Sequence, residues 1–387
     1  MSKRPLHAMM LPTGPRLYDA LVAALDTSGP AILPLSPELP SERVRALLET
    51  LRPTALVTPN GTTPVTDGVP VADETAVVIA TSGSTGEPKG VALTGNALVH
   101  SARATLTRLR ARPGDRWLAC LPTSHIAGVQ VLVRSIAAGV PPVMHERFDV
   151  EAVRASDAAF VAVVPTMLGR LLDAGVDVSR FRAVLLGGAA PSPRLLDRAR
   201  SAGAGVVTTY GMTETCGGCV YDGRQLRGVE VDLDGDGRIR LAGPVLFSGY
   251  RLRPDLTAEA MDGRWLVTRD LGAWDDGRLR VLGRVDDVII TGGRNVVPEK
   301  IATLLAGHPK VRDAVVVGRP DPEWGQRVTA VVVPSDRYAP PTLDELRAYV
   351  RPHAPSYAAP RELDVVETIP LLPSGKPDRA ALRRGNT

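Results

Sequence analysis

From about residue 28 to residue 283 the chain alternates short Val/Leu/Ala-rich runs with stretches of helical periodicity, and this alternation constrains the fold more than any single residue. AFVAVV at 159–164 precedes the stretch from Met167 to Leu172, AVLLGG at 183–188 precedes Pro193 to Arg200, and GVVTTYG follows at 205–211. Short apolar runs rich in Val suit buried strands, and the segments between them suit helices. An α/β fold is predicted. Residues 230–283 change to short strands with Asp-Gly and Gly-Tyr turns, as in a β-rich subdomain that closes a large N-terminal domain over 1–283. Residues 284–387 read as a separate, small α+β domain. It has a helix opened by Pro298, strands at DAVVVG and VTAVVV, a helix opened by Thr342 with Glu345 as a capping box, and a strand at ELDVVE.

Charge and composition exclude several partners. The 46 basic and 42 acidic residues leave a net charge of +4, scattered without a basic cluster or an aromatic platform, so nucleic acid is not an expected partner. No stretch offers about 18 uncharged apolar residues, and the first twenty residues hold no continuous apolar segment; a cytoplasmic chain without membrane insertion is expected. Three cysteines, Cys120, Cys216 and Cys219, do not make a disulfide scaffold and fit a reducing compartment. The Cys216–Cys219 spacing suits zinc, but no second Cys/His pair of suitable spacing accompanies it. Asp232, Asp234, Asp236 and Gly237 begin like a calcium loop, yet Gly243 stands where the closing Glu belongs, so a hairpin turn is expected there.

TSGSTGEPKG at 81–90 reads as a phosphate-handling loop. Its glycines allow tight turns that bring backbone N–H groups to an anion, its hydroxyls add donors, and Lys89 adds positive charge. A buried strand is expected before it at 76–80, and a helix after it, with Thr94 as N-cap and Leu98, Ala102, Leu106 and Leu109 on one face. It is not a Walker A loop: Pro88 stands where the second glycine belongs, and Gly90, rather than Ser or Thr, follows the lysine. Lysine is scarce, at five residues against 41 arginines, and a compact ammonium is not interchangeable with a guanidinium; Lys89 and Lys376 are therefore candidates for tight oxygen sites.

Five further motifs follow in order: LPTSHIAG at 121–128, TYGMTETCG at 209–217, TRDLG at 268–272, GRVDDVIITGGRNVVPEKI at 283–301 and PSGKPDR at 373–379. With the loop, they resemble the adenylate-forming superfamily of acyl-CoA synthetases, peptide-synthetase adenylation domains and luciferase, over residues 30–387. The resemblance implies attack of a carboxylate on the α-phosphate of ATP, with Mg2+, to give an acyl-adenylate, then attack by the thiol of coenzyme A. Both steps develop charge that preplaced donors must meet. It implies that Thr81, Ser82, Gly83, Ser84, Thr85, Gly86 and Lys89 hold the β- and γ-phosphates, and that Gly187, Gly188, Ala189, Tyr210 and Gly211 form the adenine platform. Thr213 would bond the α-phosphate, Glu214 would help hold magnesium, and Asp270, aided by Arg284, would take the ribose hydroxyls. Lys376 would reach the reacting carboxylate and α-phosphate in the first step. Rotation of the small domain about Asp286 would then bring the face near Gly292 and Gly293 to the coenzyme A tunnel. Two departures accompany the resemblance: Arg269 replaces the glycine of the usual Thr-Gly-Asp, and the N-terminal lobe is shorter than in other members.

Residues 121–139 resemble most closely the short o-succinylbenzoate-CoA ligases of menaquinone synthesis. A substrate with a second, unreacting carboxylate calls for another cation, and Arg134, nine residues after His125, is the candidate; a surface arginine on an apolar helix is the alternative. His125 either borders the acyl site or is a structural histidine in its wall. The expected partners are a small carboxylic acid, ATP and coenzyme A, with a homodimer left open. A ligase for another aryl or fatty acid, and a freestanding adenylation enzyme that loads a carrier protein, are the rival readings.

Overall fold

The computed structural model describes residues 3–82, 88–371 and 377–385, with Ser82 described by its backbone alone. Strand polarity and side-chain alternation explain its layers. In Phe160–Val163, Phe160 and Ala162 face one apolar cluster while Val161 and Val163 face another, the two-residue period of a strand buried on both sides. This strand lies in a seven-stranded sheet of order Val143–Met144, Trp117–Ala119, Phe160–Val163, Ala183–Leu186, Val206–Met212, Gly217–Tyr221, Arg224–Gln225. Its first five strands run parallel, and the last two are joined antiparallel.

A second seven-stranded sheet has the order Gly249–Tyr250, Pro88–Thr94, Thr75–Ser82, Ala31–Pro34, Leu6–Met9, Ala55–Thr58, Gly61–Pro64. Leu6–Met9 is a central strand that the sequence pattern did not reveal: it is four residues long and carries His7 in its middle. Helices Gly95–Arg108 and Ile126–Ala138 lie between the two sheets, where Leu98, Ala102, Val129, Leu132 and Val133 share one cluster with Val77 and Ile79 of one sheet and Trp117, Phe160 and Leu185 of the other. The first of these helices starts as expected, with Thr94 Oγ1 accepting from the Ala97 amide at 3.1 Å. A strand, Pro88–Thr94, stands between the phosphate-loop motif and that helix. The alternating buried side chains of Val91 and Leu93 give it the period of a strand.

The β-rich subdomain is a five-stranded sheet formed by Glu230–Leu233, Arg238–Ala242, Met261–Asp262, Trp265–Asp275 and Arg278–Arg284. The Asp-Gly segment turns its first hairpin, where Asp234 Oδ1 accepts from the amides of Asp236 and Arg238. After a short turn at Val285–Asp287, another five-stranded sheet packs against helices Pro298–Ala306 and Leu343–Val350. The second of these helices carries the expected capping box between Thr342 and Glu345. Across the joint, Arg194 donates to Ser335 Oγ at 2.8 Å. A groove of about 660 Å³ beside that contact, lined in part by Arg194, Arg198 and His308, shares no residue with the site described next.

Candidate active site

Strand Val206–Met212 ends where three of the sheets meet. A bulge between Tyr210 and Gly211 shifts its register against Gly217–Tyr221, and a short helical turn follows at Thr213–Thr215. A side-chain carbon on Gly211 would lie 2.1 Å from the Gly217 carbonyl oxygen, so glycine is required there for packing. Thr215, fully buried, secures the turn by accepting from the Met212 amide at 2.9 Å and donating to the Gly217 carbonyl at 2.7 Å.

From this strand end two tyrosine–carboxylate bonds reach the neighbouring sheets. Tyr210 Oη donates to Asp270 Oδ2 at 2.9 Å, joining the parallel sheet to the β-rich subdomain. Burial, and then the Asp270 charge, push the Tyr210 hydroxyl far above its ordinary range, which keeps it a donor. Tyr250 Oη donates to Glu214 Oε1 at 2.7 Å, and Tyr250 belongs to the second seven-stranded sheet. Burial, and then Glu214, push that hydroxyl up in the same way. The Lys89 ammonium lies 5.3 Å from the centre of the Tyr250 ring. Lys89, Tyr250 and Glu214 therefore form one line of contact.

Asp270 is 8% exposed and sits on Trp265–Asp275 directly opposite Arg284 of Arg278–Arg284, so the antiparallel register itself delivers the guanidinium to the carboxylate. Arg284 is 3.3 Å from Asp270 Oδ1 and 3.7 Å from Asp286 Oδ2, while Arg269 holds the other Asp286 oxygen at 2.9 Å.

The remaining candidates fall around this centre. Gly187 follows strand Ala183–Leu186 at the same strand ends, and a side-chain carbon there would meet Thr209 Oγ1 at 2.4 Å. Gly188 has a φ of +83° and, with Ala189, leads to helix Pro193–Ser201. Thr213 and Glu214 lie half-buried in the turn. His125 is the N-cap of Ile126–Ala138, and a side-chain carbon on Gly217 would lie 3.8 Å from Ile126 Cγ1; His125 therefore stands near the turn. Thr81 pairs with Lys89 across the hairpin that brackets the phosphate-loop motif, and Ser82 pairs with Pro88. Gly83, Ser84, Thr85, Gly86 and Lys376 lie outside the described residues. Gly292 and Gly293, at φ +55° and +72°, make the two-residue turn of the hairpin Ile289–Thr291/Arg294–Val296 in the C-terminal sheet.

Arg134 departs from expectation. It is neither on the surface nor gathered with the other candidates: it is 4% exposed, its guanidinium lies 4.9 Å over the Trp117 ring, and it reaches the Tyr221 hydroxyl at 3.5 Å. Nine residues of helix carry it about 13 Å from His125, toward the end of the sheet where the parallel strands begin. Burial lowers its pKa, with Tyr221 opposing. Gly249–Tyr250, expected as a turn within the β-rich stretch, is instead an edge strand of the second seven-stranded sheet, and the sequence pattern gave no sign of Tyr250, whose ring lies beside Lys89 and whose hydroxyl holds Glu214.

Magnesium suits this donor set. Glu214 offers a carboxylate whose second oxygen takes no partner among the described residues, and no cluster of three or more His, Cys, Asp or Glu there offers a protein cage. Magnesium is held characteristically by one or two carboxylates together with phosphate and water.

These features define a nucleotide-handling centre, and comparison gives its class. Residues 62–252 match the AMP-binding enzyme family and residues 300–376 match the AMP-binding enzyme C-terminal domain; the chain belongs to the AMP-binding enzymes. It is 45% identical over 335 residues to a probable 2-succinylbenzoate–CoA ligase of Mycobacterium tuberculosis, covering 82% of this chain and 86% of that one. A 2-succinylbenzoate–CoA ligase of Bacillus pumilus is 36% identical over 80% of this chain and 69% of its own. Among solved structures, o-succinylbenzoate CoA synthetase of Bacillus subtilis with its acyl-adenylate intermediate superposes with a TM-score of 0.85 at 28% identity, covering 100% of this chain and 89% of that one. An amide bond synthetase of Marinactinospora thermotolerans gives 0.86 at 28% identity, over 99% and 90%.

Two outcomes test the placement of side chains. Arg134→Met, which removes a buried cation but keeps the volume, leaves the denaturant midpoint equal or higher and the KM for the acid unchanged; a several-fold rise in that KM would return Arg134 to the acyl pocket. Tyr250→Phe, which frees Glu214, slows pyrophosphate exchange about tenfold, on the order of 1.4 kcal/mol, and raises the magnesium concentration needed for half-maximal exchange.

Proposed function

We propose that the chain is an ATP-dependent acid–thiol ligase that converts 2-succinylbenzoate, ATP and coenzyme A into the succinylbenzoyl thioester, AMP and diphosphate. The observation that carries this reading is the 45% identity over 82% of the chain to a probable ligase of that activity, joined to a site with Glu214, Tyr210 and Asp270 at one strand end. The likeness to the Bacillus subtilis synthetase bound to its acyl-adenylate supports the same substrate.

The roles follow from chemistry at named atoms. The Asp270 carboxylate accepts the ribose hydroxyls, and Tyr210 both fixes that carboxylate and offers its ring to the base. The turn from Gly187 to Ala189 borders the adenine edge, beside Gly211. Thr213 donates to the α-phosphate. Glu214 holds magnesium, which when bound offsets phosphate charge. Lys89, with Thr81 and the residues 82–86, holds the departing diphosphate, and Lys376 holds the attacking carboxylate against the α-phosphate. His125 lines the acyl side. Rotation about Asp286 then exchanges Lys376 for the Gly292–Gly293 turn, beside which the coenzyme A thiol attacks the acyl carbon and expels AMP. The domains on either side of that joint are residues 1–283 and 284–387. No helix among the described residues is long and apolar enough to cross a membrane, and a cytoplasmic enzyme fits a pool of ATP and coenzyme A.

Incubation with ATP, magnesium and coenzyme A against 2-succinylbenzoate, benzoates and fatty acids, with products identified by mass, gives the succinylbenzoyl thioester as the main product. Absence of that thioester beside a strong signal from another acid overturns the substrate, and an amide formed from an added amine in place of any thioester overturns the second step. Lys376→Ala abolishes adenylate formation yet leaves thioester formation from supplied acyl-adenylate within a few-fold of the parent. Equal loss of both half-reactions contradicts the division of labour between Lys376 in the first step and the Gly292–Gly293 face in the second.

A further inference from the structure

Arg269 is the residue at which the sequence departs from the Thr-Gly-Asp pattern, and its place in the structure gives that departure a consequence. It alternates with Asp270 along Trp265–Asp275, so the carboxylate points inward while the guanidinium of Arg269 is exposed. There it meets Asp286 Oδ1 at 2.9 Å, on the turn that leads out of the N-terminal domain. The other oxygen of Asp286 faces Arg284 at 3.7 Å, and Arg284 faces Asp270 at 3.3 Å. Four charges therefore alternate in a row, Arg269, Asp286, Arg284, Asp270, and the row ends at the hydroxyl of Tyr210.

Arg284 is the shared member, and both of its contacts are longer than the Arg269–Asp286 pair. What decides its division is how much negative charge Asp286 presents. The cations that flank the turn on the far side are committed elsewhere: Arg383 to Asp287 at 2.7 Å, and Arg379 to Glu299 at 2.6 Å and Asp287 at 3.7 Å. Without Arg269, Asp286 has Arg284 as its remaining close cation among the described residues, and the guanidinium is drawn off Asp270.

We propose that Arg269 is a positioning residue for the nucleotide: by neutralising Asp286 it leaves Arg284 on Asp270, and so ties the affinity of the ribose site to the joint between the domains. This rests on the assignment of Asp270 to the ribose. A chain with glycine at this position lacks the neutralising partner and has to set the Asp286 charge in another way. The link also runs backward: a turn at Asp286 that carries its carboxylate away from Arg269 and Arg284 changes the charge felt at Asp270, so domain rotation alters the hold on AMP.

The test is equilibrium binding of AMP by calorimetry to the full chain. Arg269→Gly weakens AMP about two- to fivefold, the scale of an exposed ion pair, and Arg269→Lys keeps parental affinity. Asp286→Asn in the Arg269→Gly background restores parental affinity, because nothing then competes for Arg284; a general loosening of the fold would not be repaired by a second substitution. Parental affinity in Arg269→Gly, or a double variant as weak as Arg269→Gly, overturns the proposal. Asp270→Ala separates the two layers of the argument. Loss of AMP binding in Asp270→Ala with no effect of Arg269→Gly overturns the role of Arg269 alone, whereas unchanged AMP binding in Asp270→Ala overturns the ribose assignment and this proposal with it.

Discussion

The exit of strand Val206–Met212 is held from two sides by carboxylates, and the rest of the site depends on this arrangement. Tyr210 reaches Asp270 in one sheet, and the turn that follows presents Glu214 to Tyr250 in another. A carboxylate as enclosed as Asp270 needs donors to offset its lost hydration, and the Tyr210 hydroxyl on Oδ2 and the Arg284 guanidinium at Oδ1 supply them. The two tyrosine–carboxylate bonds thus join three sheets around one point. Packing requires Gly211 at this point, since any side chain there would strike the Gly217 carbonyl.

What the sequence disclosed and what it hid divide along physical lines. Local rules were legible: Thr94 and Thr342 cap the helices they were expected to cap, Pro298 opens its helix, and the Asp-Gly pair at 236–237 turns a hairpin. These depend on neighbours within a few residues. Asp270 and Arg284 were legible as a pair through resemblance, and the antiparallel register supplies the reason they meet. Tyr250 was hidden because its partner Glu214 is 36 residues away and the strand that carries it is two residues long. Leu6–Met9 was hidden for a similar reason: four residues give too short an alternation to stand out, and their place between Ala31–Pro34 and Ala55–Thr58 is a tertiary fact.

Arg134 shows how an apolar helix misleads. Its neighbours on Ile126–Ala138 are nearly all buried, so an arginine among them reads as either a ligand or an exposed exception. The structure takes a third course, with the guanidinium 4.9 Å from the centre of the Trp117 ring and beside Tyr221, whose hydroxyl also meets Thr105 at 3.0 Å. A guanidinium is weakly hydrated and stacks on indole, which makes it the least costly cation to enclose there.

The proposed rotation about Asp286 would act at a joint that no apolar cluster of the described residues crosses. The apolar clusters of described residues stop on either side of it: those that contain Val77, Leu118 and Leu33 hold no residue beyond 284, and those that contain Val316 and Val317 hold none before it. The proposed rotation would therefore expose no core. Polar contacts cross it, such as Arg194 with Ser335 Oγ, and polar contacts can be exchanged for water at small net cost. Around the turn itself, Arg269 and Arg284 pair with Asp286 in exposed contacts, each weak alone, while Arg379 and Arg383 pair with a more enclosed Asp287. Exposed ion pairs can be exchanged for other arrangements at small cost, which is what the proposed rotation requires. A hydrophobic seam in the same place would favour a single orientation, against the two that the proposed pair of half-reactions needs.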